Sequence, residues 1–147
     1  MRRLALVVVA GLALAGCGGG SSHTTTIGSG AGAQAEAQIR SAYEKFFSGR
    51  TPVADRVAVL QNGPKFRGLV TSFASNPLAK NVSVAVSSVT LRDAVFAKVV
   101  YTVKLGGGKL PQQTGTAVRE NGTWKVGDAS LCKLVSLQGS TPSVCKP

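Results

Sequence analysis

The hydrophobic repeat of this chain changes once, at Asn81, and that single change sets the class of fold open to it. Before Asn81 the spacing is helical. Between Ala35 and Ser48, Ile39, Ala42, Tyr43, Phe46 and Phe47 recur at three- and four-residue steps, with charged residues between them. Gly49 ends that segment. Thr51-Pro52 has the form of an N-cap followed by a first-turn proline, which predicts a second helix with Val53, Val57 and Leu60 inward and Asn62-Gly63 at its end. Pro64 opens a third, in which Phe66, Leu69, Val70 and Phe73 line one face until Asn76-Pro77.

Beyond Asn81 the period is two. Val82, Val84 and Val86 alternate with small polar residues, and Val89 and Leu91 then continue on the opposite parity, which predicts a β-bulge near Ser87-Ser88. Val95 to Leu105 reads as a long one-sided strand, followed by a turn at Gly106-Gly107-Gly108. Thr114–Glu120 and Thr123–Gly127 flank Asn121-Gly122, a hairpin signal. A two-residue loop would set Trp124 opposite Arg119, whereas a bulged loop would bring Val118 nearer. Asp128 has the form of an N-cap for a last short helix carrying Leu131, Leu134 and Val135. Helices followed by a strand meander predict an α+β fold: N-terminal helices packed on a curved four-stranded antiparallel sheet, with a short C-terminal helix, all in one domain over residues 35–147.

The N-terminus constrains location. Met1-Arg2-Arg3 is basic, and Leu4 to Ala15 is an uncharged apolar run of 12 residues. A spanning helix needs roughly 20, so the run fits the core of a signal peptide. Leu14-Ala15-Gly16-Cys17 resembles a lipobox, which implies a leader over residues 1–16, cleavage before Cys17, and diacylglycerol and acyl chains such as palmitate on its sulfur. Ala13-Leu14-Ala15 offers the alternative of an ordinary secretory cleavage site. The lipobox reading makes the lipid bilayer a partner through Cys17 and places the protein on the extracytoplasmic face of a cell membrane. Residues 17–34 are rich in Gly, Ser, Thr and Ala, as expected of a flexible tether. His23, the sole histidine, lies there, where fixed metal or catalytic geometry is not expected.

With Cys17 assigned to lipid, Cys132 and Cys145 remain, and an oxidising compartment favours their pairing as a disulfide over two free thiols. Their spacing matches no zinc pattern, and no metal or other cofactor is expected.

Ala42-Tyr43-Glu44-Lys45-Phe46-Phe47 resembles the opening helix of nuclear-transport-factor-two-like (cystatin-like) domains, and Arg119-Glu120-Asn121-Gly122-Thr123-Trp124-Lys125-Val126 resembles their terminal hairpin. The nearest resemblance is to the actinobacterial low-molecular-weight secreted antigens, over roughly Ala35 to Gln138. It implies a cone-shaped sheet around an apolar pocket. In enzymatic relatives of ketosteroid-isomerase type, a carboxylate and tyrosines converge there; members without them bind or assemble.

Among the carboxylates, only Asp55 is placed to approach such a pocket, with Tyr43 and Tyr101 as the tyrosine candidates. Arg56 beside it offers an ionic partner instead, and a general base needs both reach and a raised pKa. With no histidine in the folded part, a Ser-His-Asp arrangement is excluded. Ser130-Leu131-Cys132-Lys133 has Ser-x-x-Lys spacing, but a bridge at Cys132 argues against a catalytic pair. Losing Arg2 and Arg3 with the leader leaves 15 basic residues against 6 acidic ones, a balance of +9. Such a balance suits anionic surfaces, although the basic residues are scattered; nucleic acid is not expected outside the cytoplasm. The expectation is a non-enzymatic domain that binds a small apolar molecule or an envelope protein. Its rivals are an isomerase or dehydratase using Asp55 with Tyr43 or Tyr101, and a basic adaptor at an anionic membrane.

Overall fold

The computed structural model describes residues 29–137, 139 and 141–146. Cys17 and His23 lie outside the described residues, and with them the leader and most of the tether. The order of elements is α1 (Ser29–Phe47), α2 (Val53–Ala58), α3 (Gly63–Ala74), a 3-10 turn (Pro77–Asn81), β1 (Val82–Leu91), β2 (Phe96–Leu105), β3 (Gly108–Lys109), β4 (Gln113–Glu120), β5 (Thr123–Val126), α4 (Asp128–Ser136) and a last 3-10 turn (Ser143–Cys145). The fold is α+β, with a curled antiparallel half-barrel of order β1-β2-β4-β5. The expected four strands are all present. A two-residue fifth, β3, doubles back on the end of β2, so the glycine turn is tighter than the sequence suggested.

Helix α1 begins six residues before Ala35, inside the stretch read as tether. Small Ala, Gly and Gln residues there carry no apolar signal, and alanine and glutamine still favour helix. Its buried stripe is Ile39, Ala42, Tyr43, Phe46 and Phe47, the residues whose spacing announced it. Two caps differ from expectation. Pro52, not Thr51, precedes the first residue of α2, and no side chain caps that end. Asp128 is the first residue of α4 rather than its cap; its carboxylate accepts from Asn62 Nδ2 at 2.8 Å, tying the turn before α3 to α4.

The sheet curls because β1 carries the expected bulge. Val86 pairs with Tyr101 and Ser88 with Val100, leaving Ser87 extra. The bulge carbonyl of Val86 accepts from Arg40 Nη1, and the same guanidinium binds Glu36 Oε1 at 2.7 Å. The hairpin has the two-residue loop: Arg119 faces Trp124, and Asn121 and Gly122 both take positive φ, as a type I′ turn requires.

The edge of the sheet formed by β5 and the start of β4 is covered. At β5, Val126 N–H donates to Val59 O and Gln61 N–H to Val126 O, so the α2–α3 link acts as a short parallel strand. Where β5 stops, α4 takes over the edge of β4. Ser130 Oγ accepts from Thr116 N–H at 2.8 Å, and Gly127 N–H donates to Thr116 O at 2.8 Å. These bonds replace a missing strand and close this edge of the sheet to another chain. Among the described residues, the buried apolar side chains all lie between Ile39 and Val135. Cys132 and Cys145 are joined by a disulfide that fastens the last turn to α4.

Candidate functional site

The inside of the half-barrel is packed with rings. Tyr43 and Tyr101 lie with centroids 5.1 Å apart, Phe47 stands 5.4 Å from Tyr101, and Phe46 meets Phe47 edge-on at 5.0 Å. Both tyrosines are almost wholly buried. Tyr43 comes from the inward stripe of α1 and Tyr101 from the inward parity of β2, so helix and sheet periodicities deliver them to one place. The Tyr43 hydroxyl donates to Thr116 O at 2.7 Å and lies 3.3 Å from Ser130 Oγ. Burial pushes its pKa well above the ordinary tyrosine value; the contact with Ser130 opposes this and the neighbouring Tyr101 adds to it. Burial alone pushes Tyr101 up to about 12. Both hydroxyls are therefore neutral over the physiological range.

Asp55 does not join them. It sits on the exposed side of α2, while its neighbour Arg56 turns inward. Arg56 donates from Nε to Thr51 O at 2.9 Å and from Nη2 to Ser48 O at 2.7 Å. A cation thus closes the C-terminal end of α1, where helix carbonyls lack intrahelical donors. Burial lowers the Arg56 pKa, and the two carbonyls are what make its burial tolerable. The geometry therefore offers no carboxylate–tyrosine pair at Asp55, Tyr43 and Tyr101, the arrangement that proton abstraction in the cone would require. Ser130 and Lys133 are likewise occupied by the edge of β4, Lys133 Nζ lying 3.4 Å from Thr114 O. Among the described residues, no cluster of three His, Cys, Asp or Glu side chains could hold a metal, and no helix is long and apolar enough to cross a membrane.

What is open lies outside the cone. A cleft of about 540 Å³ runs between α1 and the β4–β5 hairpin, with Gln34, Gln38, Ser41 and Lys45 on one wall and Thr123 and Trp124 on the other. A second hollow of about 210 Å³ shares Gln34, Gln38 and Trp124 and extends to Asp93 and Arg119 at the strand turns. The two form one trough with an indole at its base and amides and hydroxyls along its walls. Ala37, Ala42 and Val59 also line the larger cleft, so the trough combines apolar surface with a few polar groups, as small-molecule sites do. The polar residues of α1 that line it were not singled out by sequence. Their only signal is that Gln34, Gln38 and Ser41 are uncharged on a helix face that water would leave free to carry charges.

Comparison with known proteins supports the antigen resemblance. No curated protein matches the chain. A family profile does, over residues 32–142, which runs from within α1 through α4 and stops just before the closing turn. The chain therefore belongs to the family of the low molecular weight antigen MTB12, C-terminal domain.

Proposed function

We propose that this protein is an extracytoplasmic lipoprotein, anchored through acylated Cys17, whose domain is a non-enzymatic binding module. The observation that carries the binding reading is the division between a filled interior and an open trough. The cone that would hold a substrate is occupied by Tyr43, Phe46, Phe47 and Tyr101, whereas Gln34, Gln38 and Trp124 lie along a trough at the surface. Membership of an antigen family is consistent with a secreted, non-catalytic role. Anchoring rests on the leader and Leu14-Ala15-Gly16-Cys17. Because the trough sets apolar lining at Ala37, Ala42, Val59 and Trp124 beside the polar groups of Gln34, Gln38, Ser41 and Lys45, the ligand favoured is an amphipathic small molecule or an extended segment of an envelope protein.

Two measurements test this. Labelled palmitate should enter the expressed protein and be lost in Cys17→Ser; equal labelling of both would remove the anchoring claim. Native mass spectrometry of protein taken from its own envelope should show a retained molecule or partner that Gln38→Trp, which obstructs the trough, no longer holds. A partner retained equally by that variant would move the site elsewhere.

A further inference from the structure

We infer that one end of the half-barrel is a membrane-docking pole, in which Leu78 and Leu105 enter the interface of an anionic bilayer while Arg50, Lys80, Lys104 and Lys109 hold its headgroups. The end is assembled from three separate segments. Gly49 N–H donates to Val82 O at 2.9 Å, and the backbone at Ala79 and Lys80 packs directly on Gly49, which brings Arg50 to the 3-10 turn. Gly106 N–H donates to Asn81 O at 3.1 Å, bringing the end of β2 and β3 to the same turn.

Three features of this end point to an anionic, amphiphilic partner. First, its large apolar side chains face water: Leu78 is 72 % exposed and Leu105 38 %. Second, Arg50, Lys80, Lys104 and Lys109, on the segments that meet at this end, are all exposed, and the 77–83 and 104–110 segments contain no carboxylate. The two ion pairs among the described residues, Arg40–Glu36 and Lys125–Glu120, lie elsewhere. Third, Lys104 stands directly opposite Lys109 in the β2–β3 pair. Like charges facing across strands destabilise the pairing, and an anion between them removes that cost. Basic residues beside exposed leucines match a bilayer, which offers both phosphate and hydrocarbon, better than they match a soluble polyanion.

The docking reading stands apart from lipidation, although an anchor at Cys17 would supply the bilayer. The 12 residues from Cys17 to Gly28 can reach roughly 40 Å when extended, against about 28 Å for the length of α1. Anchoring at one end of α1 therefore leaves the pole at the other end free to touch the same membrane.

The test uses the unlipidated chain from Gly18, which retains every core residue among those described, in sedimentation with phosphatidylglycerol–phosphatidylcholine vesicles. Binding is expected at low salt, weakening as salt rises and absent on pure phosphatidylcholine. K104Q/K109Q should weaken binding about thirtyfold, at about fivefold for each charge near the surface, without lowering the melting temperature. R92Q/K98Q removes the same charge toward the opposite end of the sheet and should change binding little. L78S/L105S should weaken it severalfold. No binding by the parent chain, or equal losses from the two charge pairs, overturns the proposal. So does unchanged binding by L78S/L105S together with equally tight binding to polyglutamate, which would make the end a site for soluble polyanions. None of these outcomes bears on acylation of Cys17, which the palmitate experiment decides separately.

Discussion

Gly115 illustrates how tightly single residues are constrained where α1, β2, β4 and α4 meet. A methyl group there would stand 2.6 Å from Ser130 Oγ, 2.6 Å from the Tyr43 hydroxyl and 2.9 Å from Tyr101 Cε1. None of the three can withdraw, since each is buried and Ser130 and Tyr43 are hydrogen-bonded. Gly115→Ala is accordingly expected to cost about 1–3 kcal/mol by overpacking, measured by urea unfolding, and an unchanged midpoint would refute the close approach. The same tyrosines make stability sensitive to alkali, and the sign follows from their neutral burial. In the unfolded chain they ionise near pH 10, whereas folding raises both, Tyr101 to about 12. Their contribution is therefore complete below pH 10 and is lost as pH rises from 10 toward 12, because only the unfolded state can release the protons. Absorbance of the buried phenolates should rise together with loss of circular dichroism. Ionisation near pH 10 in an intact fold would contradict the packing.

At the scale of elements, α4 and its disulfide replace a strand. Ser130 and Gly127 satisfy the edge of β4, and Cys132–Cys145 holds the last turn against α4. The bridge closes a loop of 14 residues, and its loss is expected to cost about 3 kcal/mol on the chain-entropy account. Denaturant unfolding of the Cys132→Ala/Cys145→Ala variant reads that cost, and hydrogen exchange should rise first at Thr116 and along α4. Exchange rising first in β1 would place the effect elsewhere. Much of this level was legible in the sequence. The helical stripe of α1, the parity slip at Ser87-Ser88 and the Asn121-Gly122 turn each belong to a local rule that the structure obeys. What escaped depended on contacts between distant segments. Arg56 turned from Asp55 toward carbonyls at Ser48 and Thr51, and Asp128 was claimed by Asn62. The first two turns of α1 carry too few apolar residues to announce a helix, which hid Gln34, while Gln38 and Ser41 lie on the polar face of the stretch read as helical and carry no signal of their own.

For the molecule as a whole, the proposed binding role and a filled cone together place recognition at its rim. Trp124 sits where the inward face of β5 meets the trough, 4 % exposed yet lining both hollows, and it is the single tryptophan of the chain. Its fluorescence therefore reports on this site alone. A ligand seated between Gln38 and Thr123 would exclude water from the indole edge without rearranging the core, because close-packed interiors resist small displacements. The expected result is a blue shift and reduced acrylamide quenching on adding envelope extract, with both changes abolished in Gln38→Trp/Trp124→Phe when followed through the introduced indole. The control comes from the interior. Phe47→Ala should destabilise by about 3–5 kcal/mol and open space beside Tyr43 and Tyr101. If that cavity variant gains affinity for apolar dyes while the parent shows none, the parent cone is closed and the trough is the accessible site. Equal dye binding by both would mean that the rings admit ligand between them, and recognition would return to the inside of the sheet.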